Sequence, residues 1–123
     1  MRLIQMDVVP EHCQVTLYVP DAEQEPPLWP TGREAVVANS GTIYVNTICD
    51  VDGTVAVEVW SGEVPAPLHD LIYEGFLQVR DAGAFVGSYT GNQLGALVVP
   101  EGEHRVRVYA AYPHADHVIF VLD

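Results

Sequence analysis

The sequence predicts an all-β fold, an antiparallel β-sandwich of about eight strands with one short helix. Three observations support this prediction. Apolar and polar residues alternate with period two through most of the chain. Turn-forming residues fall between the alternating runs. Hydrophobic residues make up 49% of the 123 positions, which is enough for a buried core. We expect a single domain over residues 1–123.

Each alternating run predicts one strand with one buried face. In 55–60, for example, valine occupies every second position and alternates with Ala56, Glu58 and Trp60. In chain order, the runs are 4–8, 13–19, 43–48, 55–60, 71–80, 94–99, 105–110 and 118–122. Asp52-Gly53 predicts a hairpin between two of these strands, because both residue types tolerate positive φ. Pro100-Glu101-Gly102-Glu103 separates two more.

The helix is expected within 31–38. Asp21 to Pro30 contains three acidic residues and three prolines and predicts an extended loop. Thr31-Gly32-Arg33-Glu34 then has the pattern of a capping box, in which Thr and Glu satisfy the first amides of a helix. Asn39-Ser40-Gly41 would end that helix after one or two turns. We expect Trp29 to dock the crossing segment onto the core.

The charge of the chain restricts its partners. Seventeen Asp and Glu residues face five arginines, there is no lysine, and the formal net charge is −12. Such a surface repels nucleic acid and anionic membranes and attracts basic partners. Arg105 and Arg107 do not change this prediction, since Glu101 and Glu103 lie beside them in the sequence.

The sequence also favours a cytoplasmic protein. No stretch approaches the roughly 20 apolar residues that a membrane-spanning helix needs. Gln5 and Asp7 interrupt the apolar segment that a signal peptide would require near the start. Cys13 and Cys49 could pair in an oxidising compartment, but we expect a reduced pair of small buried residues.

A metal site has one candidate. His114-Ala115-Asp116-His117 places two imidazoles and a carboxylate within four residues. Zinc needs three or four converging ligands, and a solvated turn explains the same residues, so we predict no metal there. Asp50-Val51-Asp52-Gly53 lacks the glycine and glutamate spacing of a calcium loop.

Catalytic motifs are weakly supported. His12 and Cys13 are adjacent in a predicted strand and therefore point to opposite faces. Ser88 in Val86-Gly87-Ser88-Tyr89-Thr90 lacks the Gly-x-Ser-x-Gly pattern of a nucleophile elbow. There is no phosphate-binding loop or dinucleotide fingerprint, and we predict a protein without cofactor that is not an enzyme.

The acidic residues themselves are the candidate contact residues. Asp21, Glu23 and Glu25 concentrate charge in the predicted loop. Glu58 and Glu63 lie on or near the strand that carries Trp60 and form a second predicted patch. Charge steers encounter with a basic protein and an aromatic side chain anchors it. Solubility or adaptation to salt would also explain the acidity.

Three stretches resemble a known family. They are Leu28-Trp29-Pro30-Thr31-Gly32-Arg33-Glu34-Ala35, Ser40-Gly41-Thr42-Ile43-Tyr44-Val45, and Val99-Pro100-Glu101-Gly102-Glu103-His104-Arg105-Val106-Arg107-Val108-Tyr109-Ala110. The layout over residues 28–122 is similar to the competence protein J family, small inhibitors of the DNA-entry nuclease, and to small β-sandwich proteins of actinobacteria. The resemblance implies a sandwich fold and a role in restraining a basic partner. It transfers no functional residue to a position of this chain.

We therefore expect a non-catalytic acidic binding protein, an inhibitor or immunity-type partner of a basic enzyme such as a nuclease or toxin. Two alternatives stay open. One is a small-ligand or sugar-binding sandwich with a pocket lined by Trp29, Tyr44, Trp60 and Tyr109. The other is a metal-dependent enzyme that uses the cluster at 114–117.

Overall fold

A computed structural model describes residues 1–20, 25–64, 69–88 and 93–123, and over these residues the chain forms ten β-strands. The strands are β1 Arg2–Val8, β2 Gln14–Tyr18, β3 Val36–Ala38, β4 Thr42–Asn46, β5 Val55–Ser61, β6 Leu71–Val79, β7 Ala84–Ser88, β8 Gln93–Leu97, β9 Gly102–Ala110 and β10 His117–Leu122. Two single 3-10 turns, Glu11–Cys13 and Asp50–Asp52, are the only helical elements in these ranges.

The first sheet has the order β1-β5-β10-β9-β6. Its pairs are antiparallel except β5 with β10, which run parallel with His117 opposite Ala56 and Val118 opposite Val57. The prediction of a purely antiparallel sandwich is therefore wrong for this pair. The last strand of the sheet in sequence lies at its centre, between β5 and β9.

The second sheet has the order β3-β4-β2-β7-β8 and is antiparallel throughout. The all-β sandwich is confirmed, and each of the eight predicted runs overlaps a strand. Two further strands, β3 and β7, lie where the alternation is short.

The inner faces of both sheets are built mainly from valine. In β5 the three valines are fully buried, while Ala56, Glu58 and Trp60 between them lie on the outer face. β-Branched side chains suit this position because they pack closely on a pleated surface. The largest fully buried side chains are Phe120, Leu17, Ile43 and Leu77.

The predicted helix is not formed, although one of the two bonds of its capping box is. The backbone N–H and the hydroxyl of Thr31 both donate to Glu34 Oε1 at 2.8 Å. The chain that follows extends as β3 and pairs with β4, which places Val37 opposite Tyr44. Pairing of two adjacent valines in a sheet outweighs the local helix signal. Trp29 stacks on Tyr44 on the outer face of the second sheet instead of docking onto the core.

Two further expectations are wrong near residue 50. Asp52-Gly53 does not form a hairpin, because β4 and β5 belong to different sheets and the 3-10 turn connects them. Cys13 and Cys49 are joined in a disulfide instead of being reduced. Cys13 directly precedes β2 and Cys49 follows β4, so the bond joins the chain at neighbouring ends of two paired strands of the second sheet.

Candidate protein-binding surface

The strand register defines two ends of the sandwich. At the disulfide end, β1 finishes opposite the start of β5, and β10 starts beside it. At the far end, β6 finishes opposite the start of β9, and the backbone N–H of Gln78 donates to the carbonyl of Ser40 in the turn between β3 and β4. Exposed carboxylates are concentrated at these two ends.

Five exposed carboxylates lie at each end. At the disulfide end they are Asp7, Asp50, Asp52, Asp70 and Asp116. At the far end they are Glu25, Glu63, Asp81, Glu101 and Glu103. Within the described ranges, none of these ten forms an ion pair within 4 Å with an arginine or histidine. The negative charge of these ten unpaired carboxylates is therefore divided between the two ends of the sandwich.

The predicted contact residues divide between these regions. Asp21 and Glu23 lie outside the described residues. Glu25 is exposed, and its carbonyl accepts a hydrogen bond from the Asn39 side chain at 2.7 Å. Glu63 is exposed beyond the end of β5. Because Asn39 precedes β4 and Glu63 follows β5, both carboxylates belong to the far end.

Glu58 differs from the other predicted contact residues because its charge is compensated. Its side chain is only 15% exposed on the outer face of the first sheet. Oε2 lies 2.5 Å from His117 Nε2, and Oε1 accepts from Trp60 Nε1 at 3.2 Å. Arg2 is 4.0 Å away. Glu58 therefore positions Trp60 and His117 and does not offer a free charge.

His69 extends this group into a chain of four side chains. Its Nε2 lies 3.1 Å from Nδ1 of His117, with the two rings nearly perpendicular at 89°. The two ring nitrogens share one hydrogen bond, and the tautomers of the two imidazoles decide which ring donates. Sequence analysis missed His69, because the 48 residues that separate it from His117 give no local signal.

The candidate metal ligands are not brought together. His114 and Asp116 are exposed in the β9–β10 turn, where His114 has a φ of 65°. His117 uses both ring nitrogens for Glu58 and His69. Among the described residues, no group of three or more His, Cys, Asp or Glu side chains is placed to hold a metal ion.

The arginines of the outer face of the first sheet are mostly paired. Arg105 pairs with Glu74, and the hydrogen bond between them raises the pKa of Arg105 above its ordinary value. Arg107 lies 3.2 Å from Asp123. On the same face, Arg107 lies opposite Val121 of β10, where Ile119 and Val121 are 2% and 0% exposed. This face is close to charge balance, in contrast to the two ends.

The aromatic residues of the ligand-binding alternative do not line one pocket. Trp29 and Tyr44 lie on the outer face of the second sheet. Trp60 and Tyr109 lie on the outer face of the first. The prediction of a pocket built from all four is therefore wrong.

The described residues contain no helix with the length and apolar character that crossing a membrane requires.

Comparison with known proteins gives a fold relationship. No protein-family model matches the chain, and no curated protein matches it. The crystal structure of ComJ, inhibitor of the DNA degrading activity of NucA, from Bacillus subtilis, is similar with a TM-score of 0.69 and 14% identity, over 99% of this chain and 96% of ComJ. The structure of crocagin biosynthetic gene J has a TM-score of 0.56 and 12% identity, over 97% and 93% of the two chains. The protein therefore has the fold of ComJ, as its resemblance to the competence protein J family predicted.

Proposed function

We propose that this protein is a non-catalytic binding protein that inhibits, or gives immunity against, a basic enzyme such as a nuclease or toxin. The observation that carries the proposal is the fold likeness to ComJ, an inhibitor of a DNA-degrading activity, over 99% of the chain. The net charge of −12 supports a basic partner, because a strong negative potential attracts cationic surfaces and speeds their encounter.

The proposed mechanism is electrostatic occlusion at the far end. Carboxylates there would occupy the groove in which the partner binds DNA phosphates and would exclude the substrate. The contact residues proposed at this end are Glu25 and Glu63. Asp21 and Glu23, which precede Glu25 in the sequence and lie outside the described residues, are proposed with them from their charge alone. Glu25 and Glu63 support this proposal because both are exposed at one end without an ion pair among the described residues.

Glu58 and Trp60 have a different part in this proposal. Trp60 is the aromatic anchor, since tryptophan is enriched among the residues that dominate binding energy at interfaces. Glu58 holds the indole by accepting a hydrogen bond from its N–H.

We also propose that the protein acts in the cytoplasm. The Cys13–Cys49 disulfide is the observation against that location, because cytosolic thiols are kept reduced.

An inhibition assay tests the proposal. The purified chain is mixed with NucA and, separately, with nucleases of known basic charge, and degradation of plasmid DNA is followed at low and at high salt. We expect inhibition of at least one nuclease at low salt. We expect it to weaken as the Debye length falls from about 30 Å at 0.01 M to about 8 Å at 0.15 M ionic strength. Failure to inhibit any of them, or inhibition that ignores salt, contradicts the proposal.

Matched charge variants locate the contact. Glu25→Gln with Glu63→Gln removes two charges at the far end, and Asp50→Asn with Asp52→Asn removes two at the disulfide end. Occlusion at the far end predicts that only the first pair weakens inhibition. Equal effects of the two pairs would show that net charge alone is responsible.

A further inference from the structure

A surface cleft of 360 Å³ opens at the disulfide end of the second sheet. It is lined by His12, Cys13, Gln14, Trp29, Gly32 and Asn46. Gln14 and Asn46 face each other across the β2–β4 pair, and Trp29 and Gly32 come from the segment between β2 and β3. The volume lies within the range of about 300–1,000 Å³ that is usual for small-molecule sites.

The indole of Trp29 is held in place as one wall of this cleft. Its Nε1–H donates to Gln14 Oε1 at 3.3 Å. The ring stacks on Tyr44 with 6.4 Å between ring centroids and an interplanar angle of 16°. Two contacts of different kinds therefore fix the orientation of the half-buried Trp29 ring. Because the ring is already ordered, less side-chain entropy is lost when a ligand binds.

The two carboxamides leave one donor and one acceptor for a ligand. Gln14 Oε1 is used by Trp29, so the Gln14 NH₂ group is the part that faces no protein acceptor. Asn46 donates its NH₂ to the carbonyl of Glu34 at 3.2 Å, which leaves its Oδ1. Within the described ranges, neither remaining group has a further protein partner. A donor and an acceptor on paired strands suit neighbouring hydroxyl groups, which both donate and accept.

The cleft also contains no carboxylate and no arginine. This holds for all six lining residues, although the chain carries 17 Asp and Glu residues. A phosphorylated or carboxylated ligand would find no arginine there and would be repelled by the negative field of the chain. A neutral ligand neither needs a positively charged partner nor is repelled by the negative field.

We propose that this cleft binds a neutral saccharide. The C–H face of a sugar ring packs on the indole of Trp29, and adjacent hydroxyl groups bond to Gln14 and Asn46. The exposed imidazole of His12 lies at the rim. This site is on the opposite sheet from Glu58 and Trp60, so the proposal is independent of the inhibitor function.

The chain's two indole N–H groups provide the readout. ¹H–¹⁵N spectra of the full chain are recorded during titration with maltotriose, cellotriose and triacetylchitotriose. We expect at least one of them to shift the Trp29 indole signal saturably while the Trp60 signal stays unchanged. Trigalacturonic acid, which is similar in size but anionic, should bind more weakly.

A conservative variant with a matched control separates binding from folding. Gln14→Glu retains an oxygen acceptor for Trp29 but removes the NH₂ donor and adds a charge. We expect about tenfold or greater weakening, the equivalent of one lost hydrogen bond. Gln78→Glu makes the same change on β6 and should leave the affinity unchanged.

Three results would overturn the proposal. The first is the absence of a saturable Trp29 shift with all three neutral sugars. The second is binding of trigalacturonic acid as tight as that of the neutral sugars. The third is a Gln14→Glu variant that keeps its thermal unfolding transition and binds like the unchanged chain.

Discussion

Glu58 and His117 meet across the parallel pair β5 and β10, with 2.5 Å between Glu58 Oε2 and His117 Nε2. The two side chains are 15% and 20% exposed, so water screens their interaction only partly. Glu58 also accepts from Trp60, and His117 contacts His69. Loss of the Glu58 charge therefore affects three neighbours at once.

We expect Glu58→Gln to lower the free energy of unfolding by about 1.5 kcal/mol, the usual contribution of a partly buried hydrogen bond to a charged group. Urea denaturation measures it. Glu74→Gln is the matched control, because the Glu74–Arg105 pair is 48% exposed on both sides and should contribute less than about 1 kcal/mol. Equal losses in the two variants would show that burial does not strengthen the Glu58 contacts.

The disulfide should be a major source of stability. Cys13 and Cys49 are 36 residues apart, and closing a loop of this length stabilises a fold by about 4 kcal/mol in the chain-entropy estimate. We expect the double variant Cys13→Ser, Cys49→Ser to unfold at correspondingly lower urea concentration. Reductant should reproduce this change in the unaltered chain and leave the double variant unaffected. The prediction is contradicted if complete reduction leaves the urea concentration at which the unaltered chain unfolds unchanged.

Gly87 and Gly102 form a natural comparison of strain with and without a clash. Their backbone φ angles are 139° and 134°, values that residues with a side chain rarely adopt. A Cβ on Gly87 would lie 1.9 Å from the backbone oxygen of Gln93, whereas a Cβ on Gly102 would meet nothing within 4 Å. We expect Gly102→Ala to cost about 1–3 kcal/mol for backbone strain alone. Gly87→Ala should cost clearly more, and thermal unfolding that ranks the two in the opposite order would refute this account.

The Thr31–Glu34 contact predicts a pH effect of defined sign. The hydroxyl hydrogen bond from Thr31 lowers the pKa of Glu34 below its ordinary value. Because the folded pKa is the lower one, this contact stabilises the fold at neutral pH, and its contribution is lost as the pH falls through the folded pKa. Thr31→Val should raise the pKa of Glu34, measured by NMR titration of its carboxyl carbon. The stability difference between the variant and the unaltered chain should shrink in acid.

The strands could be predicted because one face of each is buried in a continuous core. Valine at every second position of β5 reports that burial directly. The segment 31–38 could not be predicted in the same way. Thr31 and Glu34 make one bond of a helix start, but Val36–Ala38 pairs with β4, and only the tertiary pairing decides between the two outcomes.

The group formed by Trp60, Glu58, His117 and His69 was only partly visible in the sequence. Glu58 and Trp60 stand two apart on one strand, so their shared face follows from the period of a strand. His117 reaches them only because β10 inserts beside β5, and the 59 residues between Glu58 and His117 carry no signal of that pairing. His117 was therefore assigned to a candidate metal cluster with its sequence neighbours instead of to its spatial ones.

The central position of β10 affects folding of the first sheet during synthesis on the ribosome. During synthesis, β5 and β9 leave the ribosome before residues 117–122, and neither can gain its partner in the middle of the sheet until those six residues emerge. A nascent chain stopped before His117 would carry two unpaired apolar strand edges in place of one closed sheet, which makes such a product a target for chaperones and proteases.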